Sequence, residues 1–213
     1  MHKTLIRAAA ILAVVCFAAC TANVKDVEVG PYTVSVIEKN VYHIQDYNST
    51  NPAGESFDAE GRITHFNNCS DMYLIVGNEE ALLIDLSNDI KWADNASESL
   101  RQLVAERTEG KKLTITFTHN HGDHVGMLHA YIKDPNVHFA LPETDFASLV
   151  SNYSEVSYSF INEGDVFDLG GIEVESIAVP GHTDGSMVFY IKGHDILFTG
   201  DAIGSGHGVW IFN

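Results

Sequence analysis

Residues 118–124 read THNHGDH and place His119, His121, Asp123 and His124 within six positions. The preceding residues 112–117, KLTITF, alternate polar and apolar side chains, which predicts a half-buried strand. In an extended loop after that strand, the first two histidines can point to one side, and Gly122 lets the backbone turn so that the other two ligands face a second point nearby. Imidazole and carboxylate are the ligands that Zn²⁺ uses in catalytic sites. This stretch therefore predicts a metal site at the end of a strand.

Two later segments offer one more ligand each, again where a predicted strand ends. Residues 180–186 read PGHTDGS and follow a strand predicted for residues 172–179. Residues 198–201 read FTGD and close a strand predicted for residues 196–199. Functional side chains are commonly carried on loops that a rigid scaffold positions. His182 and Asp201 therefore join the candidate ligands.

These segments resemble the metallo-β-lactamase superfamily of metallo-hydrolases. The family signature H-x-H-x-D-H matches residues 119–124 at every position, G-H-T-x-G-S matches residues 181–186, and T-G-D matches residues 199–201. The resemblance covers most of the chain from about Tyr32 onward. It implies an α/β fold, the αβ/βα four-layer sandwich, with two mixed β-sheets and outer helices.

The resemblance also implies two neighbouring zinc sites. The first would be held by three imidazoles, those of His119, His121 and His182. The second would be held by Asp123, His124 and Asp201, with Asp201 able to bridge the two. Zinc lowers the pKa of bound water from 15.7 to roughly 7, so that hydroxide is available at neutral pH. Asp123 would be the catalytic residue that orients this hydroxide and passes a proton to the leaving group.

Asp85 lies inside the apolar run 81–86, where a carboxylate is costly unless its oxygens are hydrogen-bonded. Two interpretations remain open at this stage. Asp85 either ends the strand as a turn residue or, as the resemblance implies, lies behind the metal ligands and orients one of them.

The first 20 residues are predicted to be a signal peptide rather than part of the fold. A basic start at Lys3 and Arg7 precedes an apolar run over residues 8–17, which is too short to span a bilayer. The run ends FAAC, which resembles a bacterial lipoprotein signal in which Cys20 becomes the lipidated first residue. Cleavage near Ala19 by an ordinary signal peptidase is the alternative.

Either route would export the protein to the periplasm or cell envelope. A lipid on Cys20 would tether the protein to a membrane face without spanning it. Residues 21–30 are polar and acidic without a period, which predicts a linker before a metallo-β-lactamase-like domain over residues 31–213. Only Cys69 remains after residue 20, so no disulfide is expected within that domain.

Composition narrows the class of partner. The chain has 213 residues, which suits one domain, and a formal net charge of −17 from 12 basic and 29 acidic residues. A nucleic-acid partner is disfavoured because binding the phosphate backbone needs a positive surface. The resemblance implies a small-molecule substrate, a membrane is expected only through the lipid anchor, and the oligomeric state is left open.

The remaining patterns predict strands and helices in a mixed order. The predicted elements are a hairpin (32–46), two buried strands (72–76, 81–86), a helix (97–107), a strand (112–117), a helix from the metal loop (residues 118–124) to residue 133, a strand (137–140), a helix (142–150) and a β meander (166–199). Residues 47–68 form a long polar loop, which either flanks the substrate cleft or is a surface loop.

The family continues beyond its T-G-D motif with a helix, a strand and a final histidine that completes the second metal site. Here the sequence ends at Asn213, and His207 follows Asp201 too closely to match that histidine. The apolar residues 209–212 lack the element they would pack against. We therefore expect a fragment of a longer protein, holding one Zn²⁺ tightly and a second fully only in the full-length protein.

The resemblance implies hydrolysis of an ester, thioester, lactone or lactam bond. Zinc β-lactamases of the family generally lack the T-G-D aspartate, so Asp201 favours ester, thioester or lactone substrates of the glyoxalase II and lactonase kind over lactams. One alternative is a dioxygenase of the same fold with a single iron, which oxidises sulfur compounds. Another is a truncated lipoprotein that binds metal without catalysis.

Overall fold

The computed structural model describes residues 26–52, 56–60, 63–65, 69–150 and 156–203. The predicted signal peptide, Cys20, His207 and the apolar residues 209–212 lie outside these described residues. None of the helices in the described part is long and apolar enough to cross a bilayer.

The described residues form strands and short helices. In chain order the strands are β1 (Val27–Val29), β2 (Tyr32–Glu38), β3 (Val41–Gln45), β4 (Ser56–Phe57), β5 (Ile63–His65), β6 (Asp71–Val76), β7 (Glu80–Ile84), β8 (Lys112–Thr116), β9 (Val137–Pro142), β10 (Tyr158–Ile161), β11 (Val166–Asp168), β12 (Glu173–Ala178), β13 (Met187–Ile191) and β14 (Ile196–Phe198). The α-helices are α1 (Ala96–Thr108), α2 (Gly122–Val125) and α3 (Glu143–Val150), with 3₁₀ turns at Gly126–Ala130 and Gly200–Ala202.

The larger sheet is mixed and has the strand order β1-β2-β3-β6-β7-β8-β9-β10. The strands from β1 to β7 pair antiparallel. The strands from β7 to β10 pair parallel. The change follows from the connections, because α1 lies between β7 and β8, and parallel neighbours need such a crossover. The carboxyl ends of the parallel strands therefore meet at one edge, where the metal loop begins.

The smaller sheet runs β11-β12-β13-β14 and is antiparallel throughout. The expectation of two mixed sheets, which the family resemblance implied, is therefore wrong for this sheet as far as the described strands go, whereas the β meander predicted for residues 166–199 is confirmed. The physical reason is that its strands are joined by short connections, two turns and the His182 loop, which contain no crossover helix and reverse the chain direction. A third, two-stranded sheet of β4 and β5 lies within the long polar loop.

Two cores show how the layers stack. Side chains from one face of the large sheet share a buried cluster with α1 and α3, which includes Leu83, Leu100 and Phe146. Side chains from the opposite face share a second buried cluster with the small sheet, which includes Leu82 and Phe189. Strand β7 is therefore buried on both faces, as its unbroken apolar run predicts. This is the stacking expected of the αβ/βα sandwich.

Three local predictions differ from the structure. Strand β1 lies within the predicted linker, because Val27 to Val29 pair with β2 across a turn at Gly30. Strand β10 was not predicted; its four residues pair parallel with β9 and are mostly exposed or half-buried, so they show no apolar period.

The helix predicted from the metal loop to residue 133 is instead two short pieces. Helix α2 ends at Val125, where φ is −118° and ψ is 4°, and a 3₁₀ turn follows. Gly126 packs on the backbone of residues 87–89, where a Cβ would lie 2.1 Å from the nitrogen of Asp89. This close approach moves the chain off the helical path just after the metal loop.

Candidate metal centre

The metal loop starts where β8 leaves the large sheet. His119 is 1% exposed, and His124 follows it in α2. The loop between β12 and β13 brings His182 to the same edge, and a backbone hydrogen bond from Met187 N to Thr118 O, 2.8 Å long, fastens that loop beside the metal loop. Asp201 follows β14 in a 3₁₀ turn. The structure thus brings together residues that are more than 60 positions apart in the sequence.

Three imidazoles converge on one point. His182 Nε2 lies 3.1 Å from His119 Nε2 and 2.9 Å from His121 Nδ1. The three rings stand nearly at right angles to one another, with interplanar angles of 80° to 83°. Their nitrogens therefore face a shared point, while the rings avoid stacking.

A second group lies directly beside the first. The nitrogen His124 Nε2 is 3.4 Å from Asp201 Oδ1 and 3.9 Å from Asp123 Oδ2. The other oxygen of Asp201, Oδ2, is 3.4 Å from His182 Nε2. Asp201 therefore turns one carboxylate oxygen toward each group, which is the geometry of a bridging ligand. Asp123 and Asp201 are about one-third exposed, so solvent reaches this side of the cluster.

The cluster fits a metal such as zinc. Four-coordinate zinc with bonds of ~2.0–2.1 Å to imidazole places its ligand nitrogens about 3.3 Å apart. The imidazole nitrogens here are 2.9 Å and 3.1 Å apart, and the ligand atoms of His119, His124 and Asp201 also lie within 4.8 Å of one another. A buried set of imidazoles with convergent nitrogens and adjacent carboxylates suits a divalent cation.

Asp85 contacts the cluster from behind. Its Oδ2 lies 2.8 Å from His124 Nδ1, and its two oxygens accept hydrogen bonds from the nitrogen and hydroxyl of Thr118 at 2.7 and 2.8 Å. Its φ of +63° is unusual for a residue other than glycine, and such strain is often found at functional sites. A buried carboxylate on Nδ1 leaves Nε2 of His124 facing Asp201, which is the arrangement expected of an orienting residue.

Electrostatics differ between the two groups. Burial, with some help from the neighbouring His124, lowers the pKa of His119 to about 3, so this ring is neutral and able to ligate. Burial acts in the same direction on His124, but the carboxylate of Asp85, with Asp201 and Asp123, raises the pKa of His124 to about 10. The hydrogen bond with His124 holds the pKa of Asp201 below its ordinary value. The second group thus concentrates negative charge where a cation would bind.

Sequence reasoning passed over three residues that support the cluster. Thr118 contacts both Asp85 and His119, and a Cβ on Gly200 would lie 2.5 Å from its hydroxyl oxygen, which explains a glycine with φ +47° before Asp201. The sequence signal was that Thr118 directly precedes the H-x-H-x-D-H signature and that Gly200 is the glycine of the T-G-D motif. Asp145, in α3, hydrogen-bonds to both ligand loops, and no local pattern marked it.

Comparison with known proteins places these features in a family. Residues 70–212 match the metallo-beta-lactamase superfamily. The chain is 29% identical over 137 residues to an atrochrysone carboxyl ACP thioesterase of Claviceps purpurea, a match that covers 64% of this chain and 40% of the relative. It is 34% identical over 102 residues to a hydroxyacylglutathione hydrolase of Buchnera aphidicola, covering 47% of this chain and 37% of the relative.

The fold has solved counterparts. A metallo-beta-lactamase from Pontibacter korlensis superposes with a TM-score of 0.55 at 21% identity, covering 78% of this chain and 69% of that protein. The chain spans about 40% of the length of the Claviceps purpurea thioesterase that it matches. The family match covers the metal loop, the His182 loop and Asp201 together. On these grounds the chain belongs to the metallo-beta-lactamase superfamily.

Proposed function

We propose that this chain carries the metal site of a metal-dependent hydrolase, and that its substrates contain a thioester or ester bond. The observation that carries the proposal is the convergence of five candidate ligand side chains at one sheet edge, with the carboxylate of Asp123 beside them. Together these side chains form a group of three imidazoles and an adjacent group of one imidazole and two carboxylates, namely His119, His121, His182, His124, Asp123 and Asp201.

Zinc is the metal that we propose. The ligand groups found in the described part of the chain offer imidazole and carboxylate, and the sulfur of Cys69 accepts a hydrogen bond from Gln45 instead of belonging to either group. Bound zinc would supply a hydroxide at neutral pH and polarise the scissile carbonyl. The same fold can hold iron, so metal identity separates the hydrolase from the alternative dioxygenase.

Each residue then has a distinct task. The three imidazoles would bind the first ion, and Asp201, with one oxygen toward each group, would bridge the two ions. Asp123 is a partly exposed carboxylate beside His124, so it can reach both solvent and substrate. Asp123 would orient the nucleophile and then pass its proton to the leaving group, whereas the buried Asp85 would hold His124 in the ligating tautomer.

The relatives support the substrate class. One is named as a carboxyl ACP thioesterase and another as a hydroxyacylglutathione hydrolase. The T-G-D aspartate, Asp201, points in the same direction, since zinc β-lactamases of the family generally have another residue there. A lactam substrate is therefore disfavoured.

A substrate panel tests the proposal. The purified, zinc-loaded chain without residues 1–20 would be assayed on an acyl thioester, an aryl ester, a lactone and a β-lactam. We expect thioester or ester turnover that is lost in His121→Ala and retained in His194→Ala, a matched change in a turn residue that pairs with Glu38. Turnover of the β-lactam alone would overturn the substrate class. Equal activity in both variants would overturn the site.

We also propose that the protein is exported and anchored through Cys20. The support is the basic start, the short apolar run and the FAAC ending of residues 17–20. A tether of this kind would hold the hydrolase at a membrane face.

A further inference from the structure

The three imidazoles of the first group come from two separate loops. His119 and His121 lie on the loop after β8, and His182 lies on the loop after β12. Their nitrogens are only 2.9 and 3.1 Å apart, so small shifts of one loop against the other would spoil the group. A third element, helix α3, supplies a carboxylate that touches both loops.

Asp145 holds the first of these loops through its middle residue. Asn120 stands between His119 and His121, and its backbone nitrogen donates to Asp145 Oδ2 at 3.2 Å. The Asn120 side-chain nitrogen also donates to the backbone oxygen of Asp145 at 2.9 Å. The segment between the two histidines is thus fixed to α3 at two points.

The same carboxylate holds the second loop next to His182. The Thr183 hydroxyl donates to Asp145 Oδ2 at 2.7 Å, and the nitrogen of Gly185 donates to Oδ1 at 2.9 Å. A Cβ on Gly185 would lie 2.5 Å from Oδ1, so only glycine lets the loop approach this closely. Ser186 completes the turn by accepting from the Thr183 nitrogen at 2.9 Å. Thr183, Gly185 and Ser186 therefore all help to hold the His182 loop against Asp145.

We propose that Asp145 is a positioning residue, which sets His182 at ligating distance from His119 and His121 without touching the metal. The inference rests on the proposed metal site. Asp145 is 9% exposed and receives three donors, and a carboxylate is well suited to this because it only accepts. Its place is equivalent to that of Asp85, but for the other metal group: Asp85 orients His124, and Asp145 aligns the three-histidine set.

Asp145→Asn is the most informative change, because it keeps shape and removes one acceptor. If the amide nitrogen replaces Oδ1, it faces the Gly185 N–H; if it replaces Oδ2, it faces the Asn120 N–H. Either orientation puts two donors together, so one loop must move. Loss of a partner behind the ligands typically costs about 10–100-fold in metal affinity, and we expect a loss in this range for the tight zinc.

A second variant and a control keep the test sharp. Thr183→Val removes one hydroxyl donor at nearly constant volume, and should weaken zinc by roughly the lower end of that range. Thr183→Ser keeps the hydroxyl and should bind zinc with wild-type affinity. The control is Asp46→Asn, another buried aspartate, which accepts hydrogen bonds from Ser70 and Asn88. It suffers the same chemical change and should leave zinc affinity unchanged.

Two readouts separate this inference from the proposed function. Chelator competition measures zinc affinity, and hydrogen exchange on metal-free protein measures protection of the Asn120 and Gly185 amides. We expect Asp145→Asn to lose both zinc affinity and the protection of these amides, while Asp46→Asn loses neither. Unchanged affinity and protection in Asp145→Asn would overturn the inference. A wild-type protein that binds zinc and protects both amides but hydrolyses nothing would support Asp145 and overturn only the proposed function.

Discussion

Asp85→Asn isolates the orienting hydrogen bond behind His124. The change keeps side-chain shape, and asparagine tolerates the left-handed backbone found at this position, with φ +63°. Asp85 Oδ1 accepts from the Thr118 nitrogen at 2.7 Å, so the amide oxygen of the substituted side chain would keep that place. The amide nitrogen would then face His124 Nδ1, which now lies 2.8 Å from a carboxylate oxygen.

The amide nitrogen can only donate, so Nδ1 of His124 must accept and its proton must sit on Nε2. That nitrogen is the one that faces Asp201 at 3.4 Å, and a protonated nitrogen cannot ligate. Hydrogen bonds to charged groups contribute about 1.5–3 kcal/mol. At ~1.4 kcal/mol per decade, the second zinc should bind about 10–100-fold more weakly.

Zinc titration with a chromophoric chelator would measure both sites in wild type, Asp85→Asn and the control Asp46→Asn. We expect a selective loss at the second site, with the first site weakened far less. Urea unfolding of the metal-free variants would show whether the fold is retained. A second site of wild-type affinity in a folded Asp85→Asn protein would refute the orienting role.

Further predictions concern ligands, pH and export. His121→Ala should lower hydrolysis by at least about 100-fold, since a ligand matters more than its outer partner, and the metal-free melting profile should be unchanged. Asp123→Asn should lower kcat by roughly 10²–10⁴-fold with the first zinc retained, as metal analysis of the same samples would show. The hydrogen bond from Arg101 lowers the pKa of Asp134 from its ordinary 3.8, so this pair stabilises the fold above that pH. In urea unfolding, Asp134→Asn should lower the free energy of unfolding by about 1 kcal/mol at pH 7. The difference from wild type should vanish as the pH falls well below 3.8. Cys20→Ala should abolish labelling by a fatty-acid probe in the membrane fraction, and persistent labelling would contradict lipidation at this residue.

Local sequence patterns predict most of the strands and helices of the fold. The alternation in residues 112–117 correctly predicts a strand, β8, but not its burial: Thr114 and Thr116 are buried too, because β8 lies inside the sheet between β7 and β9. The apolar runs 72–76 and 81–86 predict β6 and β7. Strands β1 and β10 were missed because three or four residues are too few to show a period, and their pairing partners decide their structure. The β meander predicted for residues 166–199 already gives the antiparallel direction of the small sheet, because its short connections reverse the chain.

The site residues likewise include some that local sequence predicts and some that only the fold reveals. The ligand spacing in residues 119–124 is local, and the structure does bring those side chains together. Asp145 has no local signal, since an acid in the first turn of a helix ordinarily complements the helix dipole. Its contacts reach Asn120 and Thr183, 25 and 38 positions away. Only the packing of α3 against both loops reveals its place.

Metal content is the most direct test of the central claim. Elemental analysis of the dialysed chain, expressed without residues 1–20 and offered zinc and iron together, would measure both metals per chain. The three-histidine group should retain about one zinc per chain, with little iron. Stoichiometric iron without zinc would move the protein to the oxygenase class, and no bound metal would contradict the metal centre itself.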